Sequence, residues 1–232
     1  VTVEISDVKV LLAEQSKIAK GQEPVEVYGF KFNLDPQVLA PTLSRSGAFM
    51  ANHLIADQNF SLKGKRVLDL GCGSGVIGLH CLRAGAEHVT FSDINRAAVV
   101  NAQKNVNSNG FLDYSRVALF MADGFPNKAH KYDIIVCNAP FWDHATQAGI
   151  EQAAFDPAHQ FSEKVLQSAG AHLSPGGRLY YGISSQANLE TIERLLEQSP
   201  LTQIGYHEQL SRSADASASP HTRMMWVLQH TR

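Results

Sequence analysis

The stretch R-V-L-D-L-G-C-G-S-G-V-I-G, residues 66 to 78, decides the fold. A short apolar run ends in Asp69, and Gly71, Gly73, Gly75 and Gly78 follow at once. This pattern reads as a buried strand that opens through a tight turn into a helix, its backbone left bare for a ligand to approach. Working outward, strand-like and helix-like segments alternate. Strands are expected at 66–70, 88–92, 117–121, 133–138 and 178–183, and helices at 76–84, 97–107, 162–172 and 188–198. The rhythm predicts a doubly wound α/β fold, a mostly parallel sheet of about seven strands with helices on both faces. Two final strands, 202–210 and 224–230, follow each other with no helix between, so the last strand is expected to be antiparallel.

Upstream, 3–20 reads as a short helix, 25–32 as a strand or hairpin, and Ser44 or Ser46 as the cap of a helix through Phe49, Leu54 and Ile55. These segments form an expected extension, 1–60, packed on a core domain, 61–232. The 232 residues, 44% hydrophobic and 18% charged, suffice for one substantial core but not for two α/β domains. A net charge of −2 gives no electrostatic case for gripping a long nucleic acid. Cys72, Cys81 and Cys137 lack C-x-x-C spacing and read as reduced, buried thiols. The histidines form no H-E-x-x-H or H-x-x-x-H pair, so no metal is expected. No apolar run reaches membrane-spanning length and no signal-peptide core is present, so a cytoplasmic protein without a membrane partner is expected. Residues 211 to 220, S-R-S-A-D-A-S-A-S-P, read as a mobile loop.

A second segment, N-A-P-F from Asn138 to Phe141, ends another apolar run about seventy residues later. With the glycine turn it resembles the class I S-adenosylmethionine-dependent methyltransferases, and among them the N-P-P-[YF] group, which methylates planar nitrogens. The resemblance implies a Rossmann-like sheet and S-adenosylmethionine as cofactor. It places Gly71, Gly73 and Gly75 at the turn, Asp69 beside the methionine moiety, Asp93 on both ribose hydroxyls and Ile94 against the adenine. Asp123 would accept from the adenine amine with Gly124 close to the ring, and Ser46 would approach from the N-terminal helix. A rival reading exists, because Gly73-x-Gly75-x-x-Gly78 with Asp93 beyond it formally matches the dinucleotide fingerprint of NAD-dependent oxidoreductases. A carboxylate at Asp69 aimed into the cavity would repel a diphosphate, whereas S-adenosylmethionine carries an ammonium and a sulfonium.

Amide and aryl amino nitrogens are poor nucleophiles because their lone pair is delocalised. A carboxamide oxygen and a backbone carbonyl that accept both N–H bonds fix the nitrogen with its lone pair towards the methyl carbon. In the resembling enzymes the asparagine and the next carbonyl do this; here those positions are Asn138 and Ala139. Pro140 holds Ala139 extended, and Phe141 would pack on the acceptor's flat face. Alanine replaces the usual first proline. The expected acceptor is a glutamine on a protein, with a translation factor as partner. An rRNA, tRNA or DNA base and a small-molecule amine stand as alternatives, and a non-catalytic cofactor-binding subunit as a more distant one. The run N-A-Q-K-N, residues 101 to 105, and Asp156-Pro157 resemble elements of the glutamine and rRNA guanine enzymes.

Overall fold

Apolar side chains alternate along the strands and divide the core into two halves. Val67, Val89, Phe91, Ile134, Val136, Tyr180, Met225 and Val227 face one way. Leu68, Leu70, Ile135, Cys137, Leu179, Tyr181, Trp226 and Leu228 face the other. A strand buried on both faces needs both sets, which is why the runs read as continuously apolar. The computed structural model describes residues 6–18, 22–57, 60–126, 130–146, 149–211 and 221–230.

The elements are α1 (Ser6–Ser16), β1 (Val25–Val27), β2 (Phe30–Phe32), α2 (Ser46–Ala56), β3 (Arg66–Leu70), α3 (Val76–Arg83), β4 (His88–Asp93), α4 (Arg96–Ser108) and β5 (Val117–Met121). After them come β6 (Tyr132–Asn138), α5 (Gln160–His172), β7 (Leu173–Ser184), α6 (Leu189–Glu197), β8 (Leu201–Ser211) and β9 (His221–His230). Seven strands form one sheet in the order β5-β4-β3-β6-β7-β9-β8. β3 to β7 are parallel, and β9 enters antiparallel between β7 and β8. The chain reverses its strand order beside β3, so β3, β4 and β6 deliver their carboxyl ends to one crevice, the usual ligand position in such sheets. Helices α2, α3 and α4 contribute to the first core half, α5 and α6 to the second.

The 25–32 segment is a hairpin, β1 against β2. It is moored to α4 by asparagines: Asn105 Oδ1 accepts from Asn33 N–H at 2.7 Å, and Asn101 Nδ2 donates to the Asn33 carbonyl at 2.7 Å. Asn105 Nδ2 also donates to the Ser74 carbonyl at 2.9 Å, so the N-A-Q-K-N run grips the glycine turn from behind. Helix α2 is held across the sheet at its carboxyl end, where the Asp57 carboxylate accepts from Arg178 Nη1 at 3.0 Å and the Tyr180 hydroxyl at 2.8 Å.

Three expectations change. Neither Ser44 nor Ser46 caps α2; Arg45 occupies the cap without a side-chain bond, and Ser46 is the first helical residue. The N-terminal helix occupies Ser6–Ser16, and the outer ends of its expected range, like 212–220 of the expected loop, lie outside the described residues. β7 begins at Leu173 rather than 178, its ladder resuming after an irregularity opposite Tyr132 and Ile134. No helix among the described residues is long and apolar enough to cross a membrane.

Gly78 lets α3 lie on β4, because a methyl group there would come within 2.2 Å of Phe91 Cε1. Gly78→Ala is expected to cost about 1–3 kcal/mol of stability, read from urea unfolding. Adding Phe91→Leu should return part of it; equal losses in both backgrounds would contradict the contact.

Candidate active site

Two carboxylates define the glycine turn. Asp69, at the penultimate position of β3, shares the face of Val67 and so points towards α3. There its Oδ2 accepts from the Gly78 N–H at 2.8 Å. Asp93, the last residue of β4, accepts from Gly73 N–H at 2.9 Å on Oδ2 and from Asn95 N–H at 2.8 Å on Oδ1. Each oxygen keeps a lone pair, so Asp93 can also take two hydroxyl donors. Burial raises the carboxyl pKa of Asp93 above its ordinary value, and burial first, with Asp93's charge as a smaller contribution, pushes Asp69 up to about 7. A cation placed above the turn would relieve both.

Over the turn lies a cavity of about 340 Å³, within the ~300–1,000 Å³ range of small-molecule sites. Its wall brings together Gly71, Gly73, Asp93, Ile94, Asp123, Gly124, Asn138 and Pro140. Gly71 and Gly73 have φ of +71° and +52°, and a Cβ on either would meet nothing within 4 Å. The space above them is what side chains would have filled. Ile94, an isoleucine 47% exposed, offers a flat apolar patch beside Asp93. Asp123 pairs with Lys164, Oδ2 to Nζ 2.6 Å, at the cavity rim.

The remaining expected residues lie elsewhere. Asp69 is 1% exposed and sits beneath the turn rather than on the cavity wall, which corrects the expectation that it points into the cavity. Gly75 caps α3 and packs on Ala102 and Phe91 rather than facing the cavity. Ala139 is buried in the second core half. Phe141 also packs there and lies against Trp142, ring centroids 4.3 Å apart, so the cavity wall at this point is Pro140 and not the phenylalanine ring.

Asn138 ends β6 on the face that meets α2. Its Nδ2 donates to Ser46 Oγ at 3.0 Å, and Ser46 in turn lies 2.9 Å from Ser44 Oγ. Ser46 therefore orients the asparagine, and of these two serines it is Ser44 that lines the cavity wall. Gly182, the β7 partner of Asn138, makes the room: a Cβ there would lie 2.2 Å from Met50 Sδ and 3.1 Å from Asn138 Oδ1. Beyond Asn138 the chain is strapped to a later segment, with Phe141 and Trp142 N–H both donating to the Ala154 carbonyl and Asp156 N–H to that of Trp142. Asp156 is buried before α5 and holds its first turn, accepting from Phe161 N–H, Ser162 N–H and Ser162 Oγ at 2.8, 2.9 and 2.6 Å. Residues 37–39, Phe155, Phe161 and Lys164 also line the wall and carry no sequence signature that would have announced them.

Residues 40–205 match the methyltransferase small domain. The chain belongs to that family. It is an S-adenosylmethionine-dependent methyltransferase with a Rossmann-like fold, which sets aside the dinucleotide and non-catalytic readings. A Methanocaldococcus jannaschii chain provisionally named a protein N5-glutamine methyltransferase is 28% identical over 178 residues, 74% of this chain and 85% of that one. Ribosomal RNA small subunit methyltransferase C of Pasteurella multocida is 32% identical over 144 residues, 59% of this chain and 39% of that enzyme. Among solved structures, a T. thermophilus 16S rRNA N2 methyltransferase in complex with AdoMet and guanosine superposes with a TM-score of 0.62 at 21% identity, covering 90% of this chain and 50% of that one.

The site fits the cofactor: a bare turn, a carboxylate with free lone pairs, and an apolar patch beside it. One of the N–H groups at the start of α3, that of Gly78, is already taken by Asp69 and is not open to an anion. Among the described residues no group of three or more His, Cys, Asp or Glu is placed to hold a metal ion.

The raised Asp69 carboxyl has a consequence for stability. Its proton is held in the folded state and lost in the unfolded state between about pH 4 and about pH 7, so its contribution stabilises at low pH and fades as pH rises through about 7. Asp69→Asn keeps an acceptor for Gly78 without the titration. Over that window the variant should gain on the wild type by a few kcal/mol in order of magnitude, measured by urea unfolding at each pH; parallel curves would contradict the assignment.

Proposed function

We propose that the enzyme methylates a planar amino nitrogen and that its acceptor is a glutamine side chain of a protein. One observation carries this reading: Asn138 and Asp93 line one cavity, with the Asn138 amide nitrogen already engaged by Ser46. With Nδ2 turned to Ser46, Oδ1 is the end offered to an incoming N–H. The Ala139 carbonyl is the second acceptor in this scheme, held extended by Pro140. Two acceptors on one NH2 group orient its lone pair away from them and draw charge onto the nitrogen as it is alkylated. When bound, S-adenosylmethionine supplies an electrophilic methyl group. The chain's residues position the nitrogen, shield it from water with Pro140 and Phe155, and stabilise the N–H bonds until the surplus proton leaves.

The glutamine choice follows the archaeal relative, which this chain matches over 85% of its length, against 39% for the rRNA enzyme. The net charge of −2 agrees with it. In this reading residues 1–60 are an extension on a methyltransferase domain, 61–232, that lends Ser46 to the site. A translation factor is the partner and the cytoplasm the location.

A second reading, a nucleic-acid base, is favoured by one feature. Arg45 stands next to Ser46, and Arg223 lies on β9 opposite Ser184, on the sheet face that Met225 and α2 share. Among the described residues neither arginine has an ion pair, and burial with Arg45's charge lowers the pKa of Arg223. Such a pair suits a phosphate.

The readings separate in one assay, methyl transfer from labelled S-adenosylmethionine into cell extract. Asn138→Ala should lower incorporation by ~10²–10³-fold while S-adenosylhomocysteine binding stays within about twofold, because the cofactor's anchor is Asp93. Label released by protease supports glutamine. Label released by nuclease, and lost in an Arg45→Ala/Arg223→Ala variant, replaces glutamine with a base.

A further inference from the structure

Gln15 is 1% exposed, unusual for a glutamine on a surface helix. Its carboxamide is fully engaged with one short loop. Nε2 donates to the Asp35 carbonyl at 2.9 Å and the Val38 carbonyl at 2.7 Å, and Oε1 accepts from the Ala40 N–H at 2.8 Å. That loop is one of the parts of the cavity wall that no motif announced. Gln37, Val38 and Leu39 line it, as the glycine turn does, and Asn95, two residues after Asp93, donates Nδ2 to the Gln37 carbonyl at 2.9 Å. The loop is thus tied to α1 on its outer side and to the β4 end on its inner side. The same helix reaches the other half of the cavity, where Leu12 packs on a cluster of Ala154, Phe155 and Trp142, and Phe155 lines the wall.

A buried carboxamide is costly unless every donor and acceptor is used, and here three bonds go to backbone within six residues, 35 to 40. This spacing lets one side chain fix a loop's position without contributing an atom to the cavity. Among the described residues α1 gives none to the wall itself, so it reaches the cavity through the Gln15 bonds to the loop and the Leu12 contact beside Phe155.

We propose that α1 is a clamp over the cofactor cavity, and that Gln15 is a positioning residue whose three bonds hold residues 35–40 against bound cofactor. The proposal rests on the cavity described above being the cofactor site. It assigns α1 a task in retention of the cofactor, separate from the Asn138 chemistry.

Gln15→Glu is isosteric and keeps the acceptor for Ala40, but its carboxylate faces two carbonyl oxygens with no hydrogen to give. When protonated it regains one donor. At about pH 8 the variant should bind S-adenosylhomocysteine ~10-fold more weakly than wild type by calorimetry, the ratio shrinking towards one at about pH 5. In the wild type, S-adenosylhomocysteine should slow amide hydrogen exchange in α1 and in residues 37–40 together. That second measurement needs no variant and stands even where Gln15→Glu folds poorly. A ratio within twofold at both pH values, or exchange in α1 indifferent to the ligand, overturns the clamp. Asp93→Ala serves as the control: if it too leaves binding unchanged, the cavity itself is misassigned and the clamp falls with it, whereas weakened binding in Asp93→Ala alone rejects the clamp and keeps the cavity.

Discussion

The cofactor end of the molecule depends on two N–H to carboxylate bonds, Gly78 to Asp69 and Gly73 to Asp93. A glycine-rich turn loses more freedom on folding than any other segment and has no side chains with which to hold itself. It is fixed from outside instead, by β3 below, β4 in front, and α4 behind through Asn105 and the Ser74 carbonyl. The turn's shape is therefore set by the register of parallel strands and not by the turn. The fixing groups are carboxylates, and a nearby cation stabilises their charged form, so the arrangement that shapes the turn also favours a cationic ligand over an anionic one.

The acceptor end depends on a single helix held at both ends. Asp57 ties the carboxyl end of α2 to Arg178 and Tyr180, while Ser46 ties its first turn to Asn138. Both attachments cross to the same sheet, so the asparagine amide cannot turn without breaking its bond to a helix that the sheet already fixes. The substitution of alanine for the usual proline at 139 is absorbed by this frame. Ala139 is buried, Pro140 follows it, and the chain beyond is bonded to Ala154.

Much of this was legible in the sequence. β3 and β5 fall on the expected residues because each is an apolar run bounded by turn or charged residues. The antiparallel end was legible from a missing helix. The insertion of β9 between β7 and β8 was not, since hydrophobic pattern records burial and not neighbours. At the site, Asp93, Ile94, Asp123 and Gly124 were readable because they belong to short motifs at strand ends. Asp69 was misdirected, although period-two alternation with Val67 already turned it towards α3. Ser46 was read as a helix cap and as a group approaching the cofactor, but it does neither: it is off the cavity wall and its hydroxyl is engaged by a residue 92 positions away. Gln15 and the 35–40 loop left no trace in pattern, because their bonds run from a side chain to backbone, which every residue possesses.

The most direct test of this account is a crystal structure with S-adenosylhomocysteine. The account predicts the ligand over Gly71 and Gly73, both ribose hydroxyls on the Asp93 carboxylate, the adenine against Ile94 and the sulfur facing Asn138. A ligand bound away from Asp93, or with its sulfur turned from Asn138, would contradict it.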